Sequence, residues 1–263
     1  MRAVRALLAC AATTALAVAA APHSASACTC ATPAPDVVPR PLDAAPLNTK
    51  VRVAIYRLGM GPEAKPAHVY LLDAAGARVD SDERFFGAGA TLIVELTPRR
   101  PLAKAARYEV VLALPGSPAQ SVGFVSTSAL TDRAPPLPPR TLDGKVYALP
   151  YVPGRCWPPA RPFAVLHVDE SIDDVTPPGA LLYAVWTSAG GAPIDYRTEP
   201  LSYVRAEAGS LVLGADNLCT PSRLELPAVD TLRVGLRVVD LAGNMAAPRE
   251  VVLDLSHPSR AFP

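Results

Sequence analysis

The chain has almost no net charge to direct it. Lys and Arg number 25 and Asp and Glu 24, a formal charge of +1 over 263 residues. That balance excludes a global field that would gather nucleic acid or anionic lipid. Past the N-terminal leader, no stretch approaches the ~20 apolar residues of a transmembrane helix, so no membrane span is expected in the mature chain. Catalytic signatures are missing too. There is no G-x-S-x-G, S-x-x-K, H-E-x-x-H or C-x-x-C, the patterns that place a nucleophile, a zinc site or a redox pair. Gly87-Ala88-Gly89 precedes a strand pattern, not a helix N-terminus that could cradle phosphate. The motifs therefore assign no catalytic residue, no cofactor and no metal set. The chain is expected not to be an enzyme, with a hydrolase of scattered, unrecognised residues as an alternative.

What is present points to β structure. Half the residues are apolar and 19% are charged, enough for a buried core. Proline reaches 30 residues, roughly twice the usual share. That excludes a mostly helical protein, because interior proline removes a hydrogen bond and clashes with the preceding turn.

Residues 1–27 read as a secretory signal peptide. Arg2 and Arg5 form the charged region, 6–21 are apolar and small, and Ala25-Ser26-Ala27 is a small-x-small cleavage pattern. The mature chain then begins at Cys28. A lipid anchor there is the alternative, although Ala25 stands where a lipobox usually has Leu. The location expected is secreted, periplasmic or cell-surface.

Residues 28–39 are a proline-broken lead-in. Strands are expected at 50–56, 67–73, 77–80, 91–96, 108–114 and 121–126, with polar turns at 81–83 and 87–90. In the first of these, Val51, Val53 and Ile55 face one side and Arg52, Ala54 and Tyr56 the other, a half-buried pattern. Residues 133–140 (RAPPLPPR) hold four prolines in five positions and favour a semi-rigid polyproline spacer. Strands resume at 145–149, 163–168, 181–188, 202–205, 210–213, 223–226, 231–240 and 249–255. Strands every 10–20 residues with no helical period between them predict antiparallel sandwiches. The expected fold is all-β: two antiparallel Ig-like β-sandwich domains in tandem, at 40–132 and 141–256. Residues 133–140 link them with few contacts across, and 257–263 form a tail.

Residues 40–128 resemble the bacterial Ig-like domain of the S-layer SbsA type. The resemblance is carried by 41–49 (PLDAAPLNT) before Val51-Arg52-Val53. It is carried further by 92–102 (LIVELTPRRPL) followed by Tyr108-Glu109-Val110. The Leu102-to-Tyr108 spacing is similar to a tyrosine corner, in which the hydroxyl bonds to an upstream backbone group. Ala105-Ala106 stands where Gly-Thr is common. Residues 238–244 (VVDLAGN) are similar to the last hairpin of bacterial Ig-like and fibronectin III modules. The resemblance implies an extracellular module without catalytic residues. The role expected for the chain as a whole is structural, adhesive or interactive at the cell envelope, with an unidentified protein or polysaccharide as partner. A calcium- or carbohydrate-binding module is the alternative.

Four cysteines remain after the leader: Cys28, Cys30, Cys156 and Cys219. In an exported chain they suggest disulfides. Cys156 and Cys219 both flank strands of the second half, which favours that pair. Cys28 and Cys30 stay open as a second pair, as free thiols or as lipidation sites. Asp169, Glu170, Asp173 and Asp174 lie within six residues and could meet calcium's demand for oxygen ligands. They lack the D-x-D-x-D-G spacing, and a solvated loop explains them equally well. His68, His167 and His257 read as surface or satisfied histidines. Phe85-Phe86 reads as a core edge, with an exposed contact patch as the alternative, and Trp157 and Trp186 read as core.

Overall fold

The computed structural model describes residues 34–39, 42–56, 68–87, 91–148, 162–214 and 226–259. The leader, all four remaining cysteines, Trp157 and most of the expected strand 223–226 lie outside them. The first half folds as β1 (Asp36–Val38), β2 (Leu42–Ala45), β3 (Val51–Tyr56), β4 (His68–Leu72), β5 (Ser81–Phe86), β6 (Thr91–Pro98), β7 (Arg107–Ala113) and β8 (Gln120–Thr127). The second half folds as β9 (Leu142–Ala148), β10 (Pro162–Val168), β11 (Leu182–Ala189), β12 (Ser202–Val204), β13 (Ser210–Leu213), β14 (Thr231–Val239) and β15 (Arg249–Asp254).

Two four-stranded sheets, β1-β3-β6-β5 and β2-β8-β7-β4, form the first sandwich. A three-stranded sheet, β13-β10-β9, and a four-stranded sheet, β12-β11-β14-β15, form the second. Every strand pair is antiparallel except β2 with β8. The protein is thus all-β, two sandwiches in tandem, and each sheet draws its strands from one side of 133–140. Val53, Val94, Leu71 and Val110 fill the first core, and Leu166, Val185, Leu211 and Leu236 the second. On β14, Leu232, Val234, Leu236 and Val238 point inward. On its other face Tyr196 and Ile194 lie over Gly235, where a side chain would collide with them.

Local expectations were met unevenly. The expected turn 81–83 is the start of β5, and the expected strand 77–80 forms no strand, making the Arg78 bridge to Leu72 with Val79 N–H donating to the Leu71 carbonyl (2.9 Å). The charges of 81–84 misled, because β5 is an edge strand whose exposed positions accept them. The lead-in supplies β1, which pairs with β3 through Val37↔Val53. The tail bonds to β9, where Ser259 N–H donates to the Val146 carbonyl (2.9 Å). At the tyrosine corner, the Tyr108 hydroxyl accepts from Ala103 N–H at 2.8 Å. Ala105 adopts φ 51° there, a left-handed conformation that suits glycine better.

The expectation of few contacts between the halves does not hold. The outward faces of the β3-β6 sheet and the β11-β14 sheet meet in one apolar layer. Ala54, Phe86 and Ile93 pack there with Leu182, Ala184, Trp186 and Tyr203. The rings of Phe86 and Tyr203 meet edge-on at 5.1 Å. Phe85 is its opposite, turned to solvent. Arg52 and Glu95, neighbours across β3 and β6, are sealed in the same layer at 1% and 2% exposure. Their ion pair is 2.9 Å long, and the guanidinium lies 4.7 Å from the Tyr203 ring centre. Arg84 pairs with Glu199 across the rim. Ala180 and Leu241 of the second half even join the first core. The linker is not a free spacer either: Leu137 N–H donates to the Ile172 carbonyl and Arg249 Nε to that of Pro139.

Candidate functional site at the junction of the sandwiches

The two halves are clasped where the first sandwich passes into the linker. The turn before β3 presents Asn48, whose amide holds the Asp132 backbone on both sides. Asn48 Nδ2 donates to the Asp132 carbonyl (2.6 Å), and Asp132 N–H donates to Asn48 Oδ1 (3.0 Å). Asp132 itself is 1% exposed. Its carboxylate reaches loops of the second sandwich, where Thr176 Oγ1 (3.4 Å) and Asn244 Nδ2 (3.5 Å) donate to it at long range. The Leu241 segment completes the clasp, with Lys50 N–H donating to the Leu241 carbonyl at 2.7 Å.

Three further carboxylates converge there. Asp173 caps its own turn, accepting from Thr176 N–H at 2.6 Å. Asp240 shapes the final turn, accepting from Asn244 N–H at 2.8 Å. Oxygens of Asp132, Asp173 and Asp174 all lie within 4.8 Å of one another. Burial, then the charges of Asp240, Asp173 and Asp174, push the Asp132 carboxyl up to about 6. Asp240 is also raised, chiefly by burial, with the Asn244 side chain opposing. A hard cation wants such oxygens, so Asp132, Asp173 and Asp174 could each offer one.

Of the acidic run expected from sequence, Asp173 and Asp174 reach this cluster and Asp169 and Glu170 do not. Asp169 instead accepts from Thr141 N–H (2.9 Å), which holds its carboxyl low. Asp132 was missed, because nothing local distinguishes an aspartate that precedes a proline linker.

The described histidines are exposed and hydrogen-bonded: His68 to Glu83, His167 to Ser210, and His257 to Ser256 and Asp254. Asp143, His167 and Ser210 form one cross-strand row on β9, β10 and β13. Ser210 Oγ and His167 Nδ1 are 3.2 Å apart. Among the described residues no hydrogen bond joins Asp143 to the ring, so the orienting contact of a hydrolytic triad is not made. Also among them, no helix is long and apolar enough to cross a membrane.

No protein-family model matches the chain, and no curated protein matches it. Solved structures of Ig and fibronectin III modules do. The N-terminal Ig1-2 module of the Drosophila receptor protein tyrosine phosphatase DLAR is 12% identical, with TM-score 0.27, over 84% of this chain and 98% of that one. The fibronectin(III)-like modules of Clostridium thermocellum CbhA are 9% identical, with TM-score 0.25, over 87% and 100%. The BSP domain of a biofilm-associated protein is 11% identical, with TM-score 0.25, over 85% and 30%. At these scores the likeness bears on neither activity nor partner, and the sandwich architecture rests on the strands and sheets themselves.

Proposed function

We propose that the protein is an exported, non-enzymatic unit of the bacterial cell envelope with a structural or adhesive role. Its first sandwich, which β1 opens at Asp36, is read as SbsA-like over 40–132, a reading that the Tyr108–Ala103 hydrogen bond supports. The observation that carries the role is the apolar layer joining the sandwiches. It makes one thick body of two extracellular-type modules, with the outermost sheets and strand edges left to meet a partner. Export is tested by sequencing the mature N-terminus. The chain is expected to begin at Cys28 and to lie outside the cytoplasm. A protein beginning at Met1 and retained inside overturns the reading. A diacylglyceryl mass on Cys28 would select the anchored form.

A second reading, a calcium-binding junction, is favoured by buried Asp132 facing Asp173 and Asp174. Four nearby carboxylates repel one another, and a divalent cation bound only by the folded state adds stability by mass action. Millimolar calcium is expected to raise the melting temperature by several degrees over protein in EDTA. Asp173→Asn is expected to abolish the increment. A melting curve that ignores calcium removes this reading.

A further inference from the structure

Two sheet faces bury each other, and the β2-β8-β7-β4 sheet turns its outward face away from that layer, with Val111 buried at its centre and exposed Phe124 and half-buried Tyr70 and Glu109 around it. Val69, Leu71, Tyr108, Val110, Leu112 and Val125 point into the core. The alternate positions Tyr70, Glu109 and Phe124 therefore point out. Phe124 is 46% exposed. The Arg107 guanidinium stacks on its ring at 3.9 Å, and that of Arg78 stacks on Tyr70 at 4.7 Å. Arg78 and Arg107 are both exposed. Among the described residues neither pairs with a carboxylate, and nor do Arg100, Arg133 and Arg140; what sets Arg78 and Arg107 apart from those is the aromatic ring beneath each guanidinium.

We propose that this sheet face docks an anionic polysaccharide, with Arg78 and Arg107 meeting its carboxylates and Tyr70 and Phe124 meeting its rings. The proposal rests on the exported reading above and names the partner of that surface. Stacking on an aromatic ring holds a guanidinium plane in place and leaves its edge N–H groups directed at solvent. That is the fork that accepts a carboxylate bidentately. The aromatic rings supply flat apolar area for a sugar face. Tyr70 stands opposite Val111, and Phe124 opposite Glu109 two residues along β7. Two strand spacings and two residues of rise put the pair about 12 Å apart. That span suits an extended chain molecule better than a single small anion. Glu109 between them disfavours a second carboxylate at the centre, so the charges of the ligand must be spaced.

The test uses purified mature protein in affinity electrophoresis at low salt, through gels containing polygalacturonate, neutral dextran or polyglutamate. Retardation by polygalacturonate and none by dextran is expected, falling as salt screens the charges. Arg78→Ala with Arg107→Ala, and separately Tyr70→Ala with Phe124→Ala, are each expected to weaken it at least tenfold. Circular dichroism melts confirm that these variants fold. Arg197→Ala, remote and exposed, is expected to change nothing. Equal loss in Arg197→Ala, or undiminished binding by either double variant, overturns the proposal. So does retardation by polyglutamate alone, which would make the face a dock for an acidic polypeptide. Failure to bind by a protein whose export is established removes this proposal and leaves the envelope reading standing.

Discussion

Replacing Glu95 by alanine is expected to destabilise the protein by about 3–5 kcal/mol, the range for removing one partner of a buried ion pair. At this chain length that lowers the melting temperature by roughly 10 °C. The carboxylate is 2% exposed and is the acceptor for Arg52 Nε at 2.9 Å, with Lys50 Nζ 3.5 Å away. Without it the Arg52 guanidinium stays locked between two sheets, and its Nη atoms already have no hydrogen-bond partner among the described residues. The companion variant separates charge from shape. Arg52→Met with Glu95→Leu removes both charges and keeps apolar volume in the layer, so stability near the parent's is expected. Equilibrium urea unfolding measures both. A Glu95→Ala protein within 1 kcal/mol of the parent, to order of magnitude, would mean that water reaches Arg52 and the sandwiches are not sealed together.

The second large effect is expected of a disulfide between Cys156 and Cys219, which we propose as the pairing. Both cysteines lie outside the described residues, but the strands that hold the ends of their segments do not. Ala148 pairs with Pro162, and Ala164 with Leu213, at one end of the β13-β10-β9 sheet. The segments 149–161 and 215–225 therefore leave from neighbouring points. A bond between them closes a loop of some sixty residues and restricts the unfolded chain by about 4 kcal/mol in the chain-entropy model. Cys156→Ser is expected to lose that amount, and non-reducing peptide mapping to link 156 with 219. A mapped link from Cys28 or Cys30 to either one refutes the assignment, as does a melting temperature indifferent to reductant.

β14 was plain in the sequence, because Leu232, Val234, Leu236 and Val238 alternate with residues too polar or too small for a core. In β3 the same rule put Val51, Val53 and Ile55 inward correctly, but Arg52 and Ala54 are buried as well. Alternation reports which face is the more apolar. It does not report whether the other face meets water or a second domain. Arg52 and Glu95 look like solvent-side charges until β11 and β12 are laid over them. The junction was half legible for a related reason. Asp173 and Asp174 stand out as part of an acidic run, while Asp132 and Asp240 come to them only through tertiary packing. Phe85 and Phe86 show the smallest scale of the problem, since consecutive residues on an edge strand must part company.

The shared layer also bears on how such a chain can be inherited. A sandwich with a polar outer sheet can be duplicated, transplanted or spliced into a new gene and still fold. Here each half carries the imprint of its mate: Leu182, Ala184 and Trp186 on one, Ala54, Phe86 and Ile93 on the other. Copied alone, either half would bring an adhesive stripe into its new setting. Moving the two halves together, or rewriting both faces at once, is what would keep that layer covered.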